Sequence, residues 1–86
     1  MKTVTVYTRA FCPFCTRALA LLKRKGAPVR EIDATFDAGK RAEMIAKSGG
    51  GRTYPQIFIG DTHVGGCDDL HALEARGALD PLLRSA

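Results

Sequence analysis

Apolar and hydroxyl side chains alternate from Thr3 to Thr8, a stretch rich in β-branched residues, and this period of two predicts a β-strand. From Pro13 to Lys25 the apolar positions Ala18, Leu19, Leu21 and Leu22 mark the buried face of a predicted helix. Pro13 suits its first turn, and Gly26 followed by Pro28 ends it. Val29 to Asp33 predicts a second strand, giving a βαβ unit whose strands should run parallel with a right-handed crossover. A second helix is predicted over Ala38 to Lys47, with Ala42, Ile45 and Ala46 turned inward and Ser48-Gly49-Gly50-Gly51 as its terminator.

Gln56 to Ile59 reads as a strand, Gly60-Asp61 as a tight turn and Thr62 to Val64 as the hairpin partner. After Gly65-Gly66, Asp68 or Asp69 is expected to cap a helix reaching Arg76, with Leu70 and Leu73 inward. Asp80-Pro81 should then start a short terminal helix carrying Leu82 and Leu83. The order βαβαββα plus this short helix predicts an α/β fold, a four-stranded mixed sheet flanked by helices. One domain is expected over residues 1–86, with a core that buries roughly 60% of the extended-chain surface.

Composition narrows the classes. Leu, Ile, Val and Phe supply 20 of the 86 residues and are spread along the whole chain, which excludes a disordered or low-complexity protein. The longest apolar run, Ala18 to Leu22, falls far short of the ~20 residues of a membrane span. Met1 to Tyr7 lacks the apolar core of a secretory signal, so a cytoplasmic location is expected. In a reducing compartment three cysteines point to catalysis, redox exchange or metal rather than to a disulfide scaffold. The net charge of +4, from 13 basic and 9 acidic residues, favours anionic partners. Only Lys23-Arg24-Lys25 is contiguous, at a helix C-terminus where cations are favoured, and no aromatics interleave with it. A small anion suits this charge better than nucleic acid.

Cys12-Pro13-Phe14-Cys15 falls where the first strand ends and the first helix begins. The Cys12 sulfur is thus expected at the positive end of a helix dipole, which lowers a thiol pKa and favours the nucleophilic thiolate. Cys15, one turn further in, should be more buried and less acidic, and the i, i+3 spacing lets the two sulfurs join. Cys12 is the expected attacking thiol and Cys15 the resolving one. The competing reading, half of a zinc site, needs two more ligands; Cys67 and His63 are available but lack paired spacing, and no metal is expected.

Two further segments carry chemistry. In Thr53-Tyr54-Pro55 an aromatic precedes proline at a strand entrance, a candidate for a cis bond that would present the Tyr54 backbone to an extended peptide; an ordinary edge device is the alternative. Gly65-Gly66-Cys67-Asp68-Asp69 opens a helix with small residues and free amides, either an anion site or a plain capped turn. Asp68 is expected both to cap the helix and to accept from a ligand ammonium. Cys67 fits a small residue used for its backbone N–H, with a regulatory thiol as the alternative. His63 and His71 are expected at the surface, outside catalysis.

Cys12-Pro13-Phe14-Cys15, Thr53-Tyr54-Pro55-Gln56-Ile57-Phe58-Ile59 and Gly65-Gly66-Cys67-Asp68-Asp69 together resemble a dithiol glutaredoxin of the bacterial type, over essentially the full chain. The resemblance implies a thioredoxin-like fold, a cis proline opposite Cys12, and a monomeric enzyme that reduces glutathione mixed disulfides and protein disulfides. Glutathione would be a co-substrate, with no tightly bound cofactor and no membrane or nucleic-acid partner. Carried over by position, the γ-glutamyl site falls on Gly66, the amides of Cys67 and Asp68, and the Asp68 carboxylate. The cysteinyl part falls on the Tyr54 backbone between Thr53 and Pro55. The glycyl carboxylate falls to Arg9, where lysine is usual, and Arg41, while Phe14 packs on the tripeptide. The family commonly has tyrosine in place of Phe14 and valine in place of Tyr54. Some members carry a two-iron, two-sulfur cluster on a dimer, usually with a small residue where this chain has Pro13, which argues against that role.

Overall fold

The computed structural model describes residues 1–84; Ser85 and Ala86, the last two residues of the expected domain, lie outside the described residues. The elements are β1 (Val4–Thr8), α1 (Pro13–Arg24), β2 (Val29–Asp33), α2 (Ala38–Lys47), β3 (Gln56–Ile59), β4 (Thr62–Gly65), α3 (Cys67–Ala75) and α4 (Leu79–Arg84). The strands form one mixed sheet in the order β2-β1-β3-β4, with β1 parallel to β2 and antiparallel to β3, and β3 antiparallel to β4. The two central strands have their side chains buried on both faces, apart from a half-exposed Thr5. The edges are polar, as β2 with only Ile32 buried illustrates.

Alternation in β1 divides the core. Val4 and Val6, with Ile57 and Ile59 of β3, face a layer formed by Ala18, Leu21 and Leu22 of α1, Leu70 of α3, and Leu79 and Leu83 of α4. On the opposite face Tyr7, Ile32 and Phe58 pack around Met44 of α2. The inward face of α2 differs in part from expectation. Ala42 and Ala46 are exposed, whereas Ile45 is half-buried and packs against this cluster as expected; the fully buried residue of α2 is Met44. Met44 takes the inward place that the alanines were expected to fill, its long unbranched side chain packing with Tyr7, Phe58 and Ile32. Leu19 is partly buried and packs against the core, and Cys15 joins the buried face at the start of α1.

Lys25, the last residue of the basic run, caps α1 and lies 2.7 Å from Glu74 and 3.0 Å from Asp80. It pins the end of α1 to α3 and α4, so part of the chain's positive charge is structural.

Tyr7 is fully buried, edge-on to Phe58, and its hydroxyl donates to Glu43 at 2.7 Å. Burial first, and then this carboxylate, push its pKa up to about 12. The folded state thus holds the phenolic proton more tightly than the unfolded chain. That stabilisation is fully present below about pH 10, the phenol's ordinary value, and is lost as pH rises towards 12. Urea titrations from pH 9 to 12 should show Tyr7→Phe losing stability less steeply than wild type; parallel curves would contradict the assignment.

Candidate active site

Cys12 is the N-cap residue of α1, with extended backbone angles, and Pro13 follows at the first helical position. A sulfur thus occupies the place where serine or aspartate usually accepts from the helix amides. The Cys15 N–H points at Cys12 Sγ across 3.2 Å. This geometry favours a sulfur anion at Cys12. Cys12 and Cys15 are joined in a disulfide with their Cα atoms 5.2 Å apart; Cys12 is half-exposed and Cys15 buried, the order of accessibility expected for an attacking and a resolving thiol.

Opposite Cys12 stands the Tyr54-Pro55 segment. Its peptide bond is cis, and the Tyr54 carbonyl oxygen lies 3.8 Å from Cys12 Sγ. The sheet register produces this meeting. Tyr7 of β1 pairs with Gln56 of β3, so the residues preceding Gln56 run antiparallel past the end of β1, towards the loop that carries Cys12. Gln56, a buried polar side chain, braces the segment by donating to the Thr53 carbonyl at 3.0 Å, and its carbonyl oxygen meets His63 Nε2 at 2.7 Å. This brace was not anticipated, since a glutamine opening a strand carries no pattern of its own.

A groove of about 390 Å³ runs beside this wall, and Phe14, Thr53, Tyr54, Pro55, Gly66, Cys67 and Asp68 all line it. Arg9 and Arg41 are not among its lining residues. Both lie against the Tyr54 ring instead, with guanidinium carbons 5.6 Å and 5.9 Å from its centroid, and Arg41 reaches the Tyr54 hydroxyl at 3.4 Å. Tyr54 thereby gathers two cations separated by 32 positions of sequence into one cluster at the groove wall.

The start of α3 corrects an expectation. The N-cap is Gly66, neither Asp68 nor Asp69, and the Asp69 carboxylate reaches back to accept from the Gly66 N–H at 2.9 Å. The spacing of three between Gly66 and an acidic residue was the available signal. Gly65 is the glycine that the turn demands: its φ is +116°, and a Cβ there would press into the Asp69 carboxylate. Asp68, released from capping, is exposed beside the groove together with the first amides of α3, which have no carbonyl of their own helix to bind. His63 is exposed and stacks on Phe58; half-buried His71 hydrogen-bonds through Nδ1 to the Cys67 carbonyl at 2.9 Å. Cys67 is buried, and burial pushes its thiol pKa up, with Arg17 partly opposing.

A half-exposed sulfur capping a helix, joined to a buried sulfur one turn below, and a cis-proline wall on a four-stranded mixed sheet define a thioredoxin-like thiol–disulfide oxidoreductase. The comparisons narrow the class. Residues 4–64 match the Glutaredoxin family model. Glutaredoxin 3 of Escherichia coli K12 is 55% identical over 84 residues, covering 98% of this chain and 100% of that protein. The solution structure of glutaredoxin from Brucella melitensis superposes with a TM-score of 0.84 at 60% identity, covering 98% of this chain and 90% of that one. A buckwheat glutaredoxin, solved as a complex with glutathione, gives a TM-score of 0.81 at 30% identity, covering 93% and 74% of the two chains. The chain belongs to the glutaredoxin family.

The contrast between the thiols is measurable. With the disulfide reduced, iodoacetamide at pH 7 should modify Cys12 first, as located by mass spectrometry. Cys67, buried and held as a thiol, should react at least about a hundredfold more slowly until the protein is unfolded. Equal rates at Cys12 and Cys67 would contradict the geometry.

Proposed function

We propose that the chain forms one glutaredoxin domain that reduces glutathione mixed disulfides through Cys12 alone and protein disulfides through Cys12 and Cys15 together. The supporting observation is the placement of Cys12 Sγ, capped by the Cys15 amide and 3.8 Å from the carbonyl of Tyr54, a residue that lines a groove with mixed polarity. Glutathione carries two carboxylates and one ammonium, and the groove together with the Arg9 and Arg41 side chains beside Tyr54 offers a matching partner for each. The γ-glutamyl carboxylate takes the Cys67 and Asp68 amides at the start of α3, and the Asp68 carboxylate accepts from its ammonium. The cysteinyl backbone pairs with Tyr54, between Thr53 and Pro55, as an added strand. Arg9 and Arg41, held beside the Tyr54 ring, take the glycyl carboxylate, and Phe14 covers the tripeptide.

In the one-cysteine route the Cys12 thiolate attacks the glutathionyl sulfur of a mixed disulfide. A new S–S bond forms to Cys12, the old one breaks, and the substrate leaves as a thiolate that takes up a proton. A second glutathione thiolate attacks the glutathionyl sulfur on Cys12, giving glutathione disulfide and restoring the Cys12 thiolate. In the two-cysteine route Cys12 attacks a protein disulfide and Cys15 then attacks Cys12. The substrate leaves as a dithiol, and the Cys12–Cys15 disulfide that remains is reduced by two glutathione molecules. The accompanying proposals are that the enzyme works in the cytoplasm as a monomer, with glutathione as co-substrate, no tightly bound cofactor or metal, and no membrane or nucleic-acid partner. No helix among the described residues is long and apolar enough to cross a membrane.

Turnover of a glutathione mixed disulfide, coupled to NADPH through glutathione reductase, tests the assignment. Cys12→Ser should lose both activities by more than about a thousandfold, because the other two sulfurs, Cys15 and Cys67, are both buried. Cys15→Ser should keep mixed-disulfide reduction while losing reduction of protein disulfides. Turnover by the Cys12 variant would sink the role assignment.

A further inference from the structure

Two phenylalanines stand outside every contact the fold uses. Phe11 and Phe36 are fully exposed, at 101% and 104% of the reference surface, and both have φ of +55°. A bulky residue in the left-handed region is a strained outlier, and strain of this kind gathers where a loop is shaped for a task. Phe36 is the third residue of the turn closed by the Asp37 N–H to the Ala34 carbonyl, a position where positive φ selects glycine or asparagine. Neither ring recovers this cost by burial within the chain.

The two rings share one end of the molecule. Phe11 lies in the loop after β1 and directly precedes Cys12; Phe36 lies in the loop after β2, the parallel neighbour of β1. A hydrogen bond from Ala10 N–H to Thr35 Oγ1, 2.6 Å long, ties the loops together, so each phenylalanine immediately follows one of its partners. The second loop is fixed in turn by Thr35 N–H donating to the Asp33 carboxylate at 2.8 Å. Phe11 also lines a second groove, of about 450 Å³, which contains Cys12, Cys15, Arg9, Thr16 and Leu19 and is distinct from the groove along Tyr54 and Cys67. Cys12 lines this second groove, and its sulfur lies 3.8 Å from the carbonyl oxygen of Tyr54, which lines the first. The polar tripeptide is accommodated by one; the other is rimmed by an aromatic ring.

We propose that Phe11 and Phe36 form an aromatic rim that docks the protein half of the substrate, selecting reactive cysteines flanked by apolar side chains. The inference rests on the glutathione-dependent activity proposed above and names the substrate class of that same site. Each turnover on a protein brings a macromolecular sulfur to Cys12 and so covers the surface continuous with it, which begins at Phe11. Contact with an apolar flank removes the exposed rings from water, the gain their solvent-facing placement withholds in the free enzyme.

Two glutathionylated decapeptides that differ only beside the cysteine, with Leu and Phe against Ser and Gly, test this together with the small mixed disulfide of glutathione and cysteamine. Wild type should show a kcat/KM about tenfold higher for the apolar peptide, the discrimination available from one or two partly buried apolar groups. Phe11→Asn combined with Phe36→Gly should bring that ratio close to one and leave turnover of the small disulfide within about twofold. Its melting temperature should not fall, since asparagine and glycine accept positive φ. Phe36→Gly alone, distant in sequence from Cys12, should lose part of the preference and guards against a disturbed Cys12 loop in the double variant. A wild-type ratio within twofold of one, or a preference that survives in the double variant, would overturn the docking role while leaving the glutathione activity standing. Failure of wild type to turn over the cysteamine disulfide would instead overturn the glutathione reading and the docking role together.

Discussion

The chemistry of this protein depends on the N-terminus of one helix being capped by a sulfur. Cys12 takes the place of an oxygen cap, and the amide of Cys15 is directed at it. In the proposed mechanism a thiolate there would be held by backbone dipoles that the fold keeps fixed, with no mobile base to be brought up for the first step. For this to hold, α1 must be immobile. Ala18, Leu21 and Leu22 anchor it on Val4, Val6, Ile57 and Ile59, and Lys25 ties its far end to Glu74 and Asp80. The second requirement is a wall opposite the sulfur, which the register of β1 with β3 supplies. A slip of one residue between these strands would exchange the faces of Ile57 and Phe58 and carry Tyr54 away from Cys12.

Charge is used at three scales. Part of the basic surplus closes the back of the molecule through Lys25. Another part, Arg9 and Arg41, is collected by the face and hydroxyl of Tyr54 into one patch beside the groove. At the start of α3 the helix amides provide partial positive charge, while the exposed Asp68 provides a negative one next to it. In the proposed binding mode, a ligand carrying a carboxylate at each end and an ammonium at one end would place the ammonium end at Asp68.

Much of this order was legible in the sequence because period and punctuation agreed. The hydroxyl–apolar alternation of β1, the Pro13 and Gly26 boundaries of α1 and the Gly60-Asp61 hairpin each carry a local signal, and the observed elements begin or end within one or two residues of expectation. What was missed depends on contacts between distant residues. On α2 the pattern locates Ile45 but not Met44, because alanines are neutral about burial and Met44 is selected by its packing with Tyr7, Ile32 and Phe58. The cap of α3 was misplaced because several acidic residues follow Gly66, and only the tertiary position of the chain selects Asp69 to reach back. The clustering of Arg9 and Arg41 on Tyr54 joins three separate segments, and no spacing rule announces it.

The central claim is that glutathione lies along Tyr54 and the start of α3 while its sulfur is bonded to Cys12. Nitrogen-15 NMR of Cys15→Ser, before and after conversion of Cys12 to its glutathione mixed disulfide, tests it most directly. The account predicts that the largest amide shifts, beyond those at Cys12 and its immediate neighbours, fall at Tyr54, Cys67 and Asp68. Shifts confined to the Cys12 loop, with Cys67 and Asp68 unmoved, would contradict it.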